Sequence, residues 1–365
     1  MNITALITGI EYKSFFGKEL RKIEFKEFDI NSAPASCAII DKNIYFAISK
    51  WVSPKRTRSY PFERVYNTLS ISKKITVIPV IKDEGFEGDR DFIQWDTVSL
   101  MSLLDVYVIF AYYHKAEKHK SRYDKITKQQ FDNAYIIDKI KEISNYHSSA
   151  LHWNLKEINS NLAILIDKIK YSYQHISKKT GVKFHSSKGL DDFKKQFEED
   201  VKVFMNTSRI KAEAAAKREQ KTLQPKEMLQ TLTKATITIK NYLGGLYFLT
   251  TDEILIEDKI ISLIESKHSN SSLLPSKNDI KDALLKMILY CNLSEIKIEN
   301  NTYKSKPVLS LTSCKILGKL NSDAKVNDLN NFFKNNRFNE SKKNTVQKLF
   351  EEAKTNGFYI TIQRG

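Results

Sequence analysis

Residues 251–267 read TDEILIEDKIISLIESK. The apolar runs at 254–256 and 260–264 are rich in residues that favour β-strands, and only a short polar segment separates them. A two-residue turn at Asp258-Lys259 would join the runs as an antiparallel pair in which Glu257 faces Ile260. The segment therefore predicts a β-hairpin, and this hairpin decides how the last third of the chain is organised.

The same register brings three reactive side chains to one end of the hairpin. Asp252 would face Glu265, and directly opposed residues point to the same side with Cβ atoms about 5 Å apart. Lys267 shares that side, because side chains alternate along a strand. Two adjacent carboxylates repel each other unless a cation lies between them, and carboxylate oxygens suit Mg²⁺. We therefore predict that Asp252 and Glu265 bind Mg²⁺ and that Lys267 completes a catalytic site.

This combination is typical of enzymes that cleave phosphodiesters. A divalent metal neutralises the charge that builds up at phosphorus and acidifies a bound water, while a lysine can orient that water or stabilise charge. Acid-x-Lys tripeptides also begin at Glu11, Glu24, Asp192 and Glu295. The copy at Glu265 differs from these because it ends an apolar strand, has an upstream aspartate in register and precedes a helix. A surface hairpin with ordinary charged residues is the alternative.

The pattern after the hairpin predicts a helix at 278–291, capped by Ser276 with Asp279, whose apolar stripe packs on a sheet. Lys281 and Lys286 lie outside that stripe, and we expect them on a solvated face. A strand at 308–313, a helix at 341–354 that stops at Gly357, and a strand at 358–362 follow. The first strand of the hairpin is predicted to span 242–257.

Earlier in the chain, short runs of β-formers at 44–48, 75–81 and 106–113 accompany helical spacing at 92–104. We therefore predict an α/β fold with a mixed sheet flanked by helices. We expect three parts: an N-terminal α/β unit at 1–125 that recognises DNA, a mainly helical connector at 126–225, and a nuclease core at 226–365.

The run Asp252-x12-Glu265-Ser266-Lys267 resembles the PD-(D/E)XK signature of type II restriction endonucleases, and the similarity extends over 251–290. Thr251 stands where the family name has proline, at a position that is loose in the family. The resemblance implies a PD-(D/E)XK core, Mg²⁺ bound by Asp252 and Glu265, and Lys267 assisting the attacking water. It also implies cleavage of double-stranded DNA at a specific short sequence, a homodimer that matches a palindromic site, and a cognate DNA methyltransferase that shields the host's own sites in a restriction-modification system of phage defence.

Charge supports a nucleic-acid partner. The chain has 59 basic and 43 acidic residues and a formal charge of +16, which favours binding to a polyanion. Residues 50–64, KWVSPKRTRSYPFER, interleave basic and aromatic side chains. From this segment we predict DNA contacts by Lys55, Arg56, Arg58 and Arg64, and we add His268 beside the catalytic site. A merely lysine-rich surface and a lipid surface are the alternatives.

A second acidic cluster could form a rival nuclease site. It comprises Lys82-Asp83-Glu84 with Asp89 and Asp91. We rank it second, because the glycines at 85 and 88 suggest a loop without a strand partner.

Other classes of protein are disfavoured. The three cysteines are widely spaced and form no C-x-x-C pair, so neither a zinc ribbon nor a disulfide framework is expected. No P-loop or G-x-G-x-x-G is present, and no stretch resembles a signal peptide or a membrane span, so we expect a cytoplasmic protein without membrane contact. The functional alternatives are a nickase or repair nuclease on the same fold and a non-catalytic, sequence-specific DNA-binding protein.

Overall fold

A computed structural model describes residues 1–41, 44–55, 61–199, 202–208, 210, 214 and 235–365. The chain divides into two compact units. Unit 1 combines Met1–Lys18 with Lys211–Gly365, and unit 2 is Glu19–Ile210.

The strands, in chain order, are β1 (Asn2–Ile7), β2 (Lys22–Glu24), β3 (Ser36–Asp41), β4 (Ile44–Lys50), β5 (Lys73–Pro79), β6 (Ile81–Asp83), β7 (Arg90–Phe92), β8 (Val106–Ala111), β9 (Tyr113–Lys118), β10 (Ile126–Phe131), β11 (Ala235–Asn241), β12 (Leu246–Thr251), β13 (Glu253–Glu257), β14 (Ile260–Ser269), β15 (Ser294–Ile298), β16 (Asn301–Ser313), β17 (Lys319–Asn321) and β18 (Tyr359–Arg364). The α-helices include α1 (Pro61–Tyr66), α2 (Trp95–Leu103), α3 (Asn133–Ser144), α4 (Ala150–Thr180), α5 (Lys188–Glu199), α6 (Lys277–Cys291), α7 (Val326–Asn335) and α8 (Glu340–Asn356).

Unit 1 is built on a mixed sheet with the order β12-β11-β1-β15-β16-β14-β13, in which β18 also pairs with β16 and β17 pairs with β18. The pairs β1–β11, β14–β16 and β16–β18 are parallel, and the other pairs are antiparallel. Helix α6 connects the parallel strands β14 and β16 and packs against both, while α8 packs on β18. Buried aliphatic residues such as Leu263, Leu284 and Ile360 fill the space between sheet and helices.

The predicted hairpin is present in the predicted register. Strands β13 and β14 pair Glu257 with Ile260 and continue to Glu253 opposite Ile264. Asp258 in the turn has a φ of 54°, the left-handed conformation that a two-residue hairpin turn requires and that aspartate tolerates.

The prediction of one continuous strand over 242–257 is wrong. Strand β12 ends at Thr251, which pairs with Ala235 of β11, and β13 begins at Glu253, which pairs with Ile264 of β14. Asp252 lies between them, and its backbone N–H donates to the carbonyl of Ile264 (3.2 Å). The chain breaks here because it exchanges one strand partner for another.

The two helices predicted after the hairpin, α6 and α8, form within two residues of the predicted bounds, whereas α7 was not predicted. The side chain of Ser276 accepts a hydrogen bond from the backbone N–H of Asp279 at the start of α6, the usual way of satisfying an N-terminal donor. Gly357 ends α8 with a φ of 74°, a conformation that glycine adopts without a steric penalty.

Unit 2 contains a second sheet with the order β2-β3-β4-β5-β8. The long helix α4 packs on β8 and β9. Its Trp153 indole N–H donates to the carbonyl of Val108 (2.9 Å), and the Asn154 side chain bonds the backbone of Val106 and Val108. Two separate hairpins, β6–β7 and β9–β10, complete the unit.

These units differ from the expected three parts. Strand β1 joins the C-terminal residues, because it pairs with β11 on one side and β15 on the other. Helices α3, α4 and α5 do not form a connector between units; they belong to unit 2, where α3 and α4 pack on strand β8. The fold as a whole is mixed α/β with a mixed sheet flanked by helices, as predicted. No helix within the described ranges combines the length and the apolar character needed to cross a membrane.

Candidate active site

Glu265 lies at the centre of the candidate site in unit 1. It is 1% exposed, although it is charged and belongs to the second half of β14. Two ammonium groups hold its carboxylate: Nζ of Lys267 lies 3.0 Å from Oε1, and Nζ of Lys286 lies 2.7 Å from Oε2. A carboxylate is tolerated in the protein interior only with such partners.

Asp252 adjoins this pair. One of its oxygens, Oδ2, accepts a hydrogen bond from the backbone N–H of Ser266 (2.8 Å), which ties the carboxylate to the residue between Glu265 and Lys267. The other oxygen, Oδ1, accepts no hydrogen bond from the part of the chain that the structure describes. The structure thus brings Asp252, Glu265 and Lys267 together at one end of the hairpin. Asp252 lies at the break between β12 and β13. It is therefore not paired with Glu265 in the ladder, although the predicted register would require that pairing.

The electrostatics of Lys267 reflect these neighbours. Burial opposes its charge, but the carboxylates of Glu265, Asp282 and Asp252 outweigh that effect and raise the pKa of the ammonium group above its usual value. Lys267 is therefore protonated at neutral pH. In this state it donates hydrogen bonds and cannot accept a proton.

Helix α6 contributes three residues to the site. Asp282, Lys286 and Tyr290 are four residues apart, so they lie on one face of the helix. Lys286 binds Glu265, and Oδ2 of Asp282 lies 3.9 Å from Nζ of Lys267. The hydroxyl of Tyr290 is buried and has no hydrogen-bond partner among the residues that the structure describes. Burial, followed by the charges of Glu265 and Asp252, raises its pKa well above the ordinary value.

The prediction of a solvated face for Lys281 and Lys286 is wrong. Lys281 is 4% exposed, and its ammonium group lies over the ring of Phe16. The sequence did contain a signal: Ala283, Leu285, Leu289 and Tyr290 fall outside the apolar stripe of α6 and are also buried. A helix that is apolar on several faces is enclosed by the protein, so its few charged residues must find partners there.

The oxygen atoms available at the site suit magnesium better than a metal that takes all of its ligands from the protein. Within the described ranges, no three His, Cys, Asp or Glu side chains form a group that could hold a metal ion. Magnesium usually binds proteins through one or two carboxylates and takes its other ligands from water and phosphate. Asp252 offers the open oxygen Oδ1, and each oxygen of Glu265 has a second lone pair beside its lysine contact.

The residues predicted to contact DNA have different environments. His268 is exposed and bonds the side chains of Thr312 and Asn270. Lys55 is also exposed, at 3.9 Å from Asp91. Arg64 is partly buried, and its guanidinium donates to the carbonyl of Lys50 (2.7 Å), so it supports the fold of unit 2. Arg56 and Arg58 lie outside the described residues.

We expected the rival acidic cluster to form a loop without a strand partner, and this expectation is wrong. Asp83 and Asp91 lie on the paired strands β6 and β7. Asp83 is buried and is held by Arg90 (3.4 Å) and His185 (3.0 Å), and Asp91 accepts a hydrogen bond from Ser53 (3.1 Å). These contacts hold both carboxylates in place, and the guanidinium of Arg90 balances the charge of Asp83, which gives the acids a structural role in unit 2.

Comparison of the chain with protein-family models, curated proteins and solved structures found no match.

Proposed function

We propose that this protein is a Mg²⁺-dependent endodeoxyribonuclease with a PD-(D/E)XK core, and that it acts as a type II restriction endonuclease on double-stranded DNA. The observation that carries this proposal is the convergence of Asp252, Glu265 and Lys267 at one end of the β13–β14 hairpin. The setting supports it, because these residues lie on a mixed sheet with helix α6 packed against it.

The charge balance of the site suits the chemistry. In the part of the chain that the structure describes, the carboxylates of Asp252, Glu265 and Asp282 lie near the ammonium groups of Lys267 and Lys286. The carboxylates attract a divalent cation, and a bound cation adds positive charge that attracts phosphate. Bound Mg²⁺ supplies charge neutralisation and an acidified water.

The protein's own groups have separate roles in this proposal. Asp252 and Glu265 hold the cation. Lys267, protonated under the influence of its acidic neighbours, donates a hydrogen bond that orients the attacking water or stabilises charge on the phosphate. Lys286 acts through Glu265, whose carboxylate it positions.

The wider biological proposal follows from the type of enzyme. A homodimer would match a palindromic site and cut both strands. A cognate methyltransferase would protect the host's own DNA. His268 and Lys55, both exposed, remain proposed DNA contacts.

The test is digestion of unmodified phage DNA with Mg²⁺ or with EDTA. We expect discrete fragments with Mg²⁺ only. The variants Asp252→Asn, Glu265→Gln and Lys267→Met should lose cleavage by about a thousandfold or more while retaining most DNA binding.

A matched control is available in the same unit. Glu295 and Lys297 form the same acid-x-Lys tripeptide on β15, with an exposed ion pair at 3.7 Å. The double variant Glu295→Gln/Lys297→Met should cut like the wild type. Wild-type cutting by Asp252→Asn or Lys267→Met would refute the assignment of the site.

The second candidate function is sequence-specific DNA binding without catalysis. It is favoured by the finding that both oxygens of Glu265 already bind lysines. It predicts DNA binding with a steep salt dependence and intact DNA after incubation with Mg²⁺. The same digestion distinguishes the two functions.

A further inference from the structure

Unit 2 contains a cavity of about 440 Å³ beside the β9–β10 hairpin. Its walls carry five basic side chains, from Lys50, Lys82, Arg122, Lys125 and Lys128, and one acidic side chain, from Glu84. The volume lies in the range of small-molecule sites. The excess of positive charge calls for an anionic ligand.

Two of these cations are available to such a ligand. In the part of the chain that the structure describes, the side chains of Arg122 and Lys125 form no ion pair. Both lie in the turn between β9 and β10. The ring nitrogen Nδ1 of His119 accepts from the backbone N–H of Ser121 (3.2 Å) and of Arg122 (3.1 Å), which fixes this turn before any ligand binds.

Gln129, on β10, also lines the cavity. Its amide donates from Nε2 to the carbonyl of Asp83 (2.7 Å), which holds the side chain in place.

The strand that carries Lys128 and Gln129 is irregular. The register of β9 and β10 shifts between Thr127 and Gln130, and Lys128 has a φ of 49°. A bulge with an unfavourable backbone angle redirects side chains and is often found next to binding sites. The stacked rings of Tyr113 and Phe131, with centroids 4.4 Å apart, form an apolar part of the wall.

We propose that this cavity binds a nucleotide, with its phosphate held by Arg122 and Lys125 and its base beside the rings of Tyr113 and Phe131. A nucleotide combines the two features that the cavity matches: a negative charge and a flat apolar ring. The nucleotide is either free or part of a DNA strand. The site lies within unit 2 and does not depend on the cleavage proposed above.

The test is calorimetric titration of full-length Asp252→Asn without Mg²⁺, so that DNA is not consumed whatever the role of unit 1. The ligands are the four deoxynucleoside 5′-monophosphates, the corresponding nucleosides and inorganic phosphate. We expect at least one monophosphate to bind more tightly than both its nucleoside and phosphate. Equal affinity for the nucleoside, or no binding of any monophosphate, would overturn the proposal.

A double variant tests the phosphate contact. Arg122→Gln/Lys125→Gln should weaken nucleotide binding by about tenfold or more. The control Lys178→Gln/Lys179→Gln removes the same charge from exposed positions at the end of α4. An equal loss in this control would show non-specific attraction and overturn the proposal.

Competition then identifies the source of the ligand. Displacement of the bound monophosphate by a short DNA oligonucleotide assigns the cavity to DNA recognition. Binding of the monophosphate without such displacement assigns it to a free nucleotide. Both results support the site.

Discussion

The ammonium group of Lys286, on helix α6, lies 2.7 Å from Oε2 of Glu265, on strand β14. Lys267 approaches the other carboxylate oxygen at 3.0 Å. Glu265 is thus a buried anion held between two cations, one from its own strand and one from the helix that covers it. The charge of Glu265 affects the stability of unit 1, and the proposed chemistry requires the same charge.

The first prediction concerns the loss of one of these cations. Lys286→Met should lower the free energy of unfolding by about 2 kcal/mol, because Glu265 would keep only one charged partner in the interior. The double variant Glu265→Gln/Lys286→Met should recover part of that loss. Urea denaturation without divalent metal measures both. Lys297→Met, in an exposed pair, is the control and should change stability by less than about 0.5 kcal/mol. Unchanged stability of Lys286→Met would contradict the prediction.

The second prediction concerns the buried hydroxyl of Tyr290. Tyr290→Phe removes a polar group that finds no partner within the described ranges, so the free energy of unfolding should stay constant or rise by about 1 kcal/mol. The control is Tyr173→Phe, because the Tyr173 hydroxyl accepts from the backbone N–H of Asp83 and donates to the carbonyl of Ile81. The free energy of unfolding of that variant should be about 1 kcal/mol lower than that of the wild type. Equal losses in both variants would show that Tyr290 has a hydrogen-bond partner.

The third prediction concerns alkaline pH. Burial raises the pKa of Cys291 from 9.0 to about 12. Above pH 9 the unfolded chain loses this proton while the folded chain keeps it, so stability falls as the pH rises from about 9 towards the folded pKa. Between pH 8 and pH 10, the free energy of unfolding of Cys291→Ala should therefore fall by about 1 kcal/mol less than that of the wild type.

This difference is measured by urea denaturation at the two pH values with a reducing agent. Cys314→Ala is the control, because that thiol is exposed. Identical pH dependence of Cys291→Ala and the wild type would contradict the prediction.

The fourth prediction concerns the start of α6. Ser276→Ala removes the acceptor for the backbone N–H of Asp279 (3.1 Å) and should cost about 1 kcal/mol of stability, whereas Ser276→Thr keeps the hydroxyl and should preserve it. Thermal unfolding of the three proteins checks the order. An alanine variant as stable as the threonine variant would mean that the cap contributes nothing.

Several features of the candidate site could be read from the residues alone. The turn at Asp258-Lys259 and the alternation of strand residues fix which side chains share a face, and the hairpin has the predicted register. The Ser276 cap and the Gly357 stop are likewise present. These features depend on residues a few positions apart, whose geometry is set by local backbone rules.

Other features depend on contacts between distant parts of the chain. The break at Asp252 exists because β12 pairs with β11 while β13 pairs with β14. The position of β1 in unit 1 depends on strands more than two hundred residues away. A sequence pattern predicts that a strand forms, but it does not specify which distant strand is its partner.

The sequence by itself determined the hairpin, the helix that follows it and the side on which Glu265 and Lys267 lie, because periodicity and turn chemistry act within a few residues. Only the tertiary structure decided that Lys286 would bind Glu265, that the hydroxyl of Tyr290 would be buried near them, and that Arg122, Lys125 and Gln129 would line one cavity. The physical reason is that packing a helix on a sheet, or bulging one strand against another, sets which charges are removed from water together, and that choice depends on the whole fold.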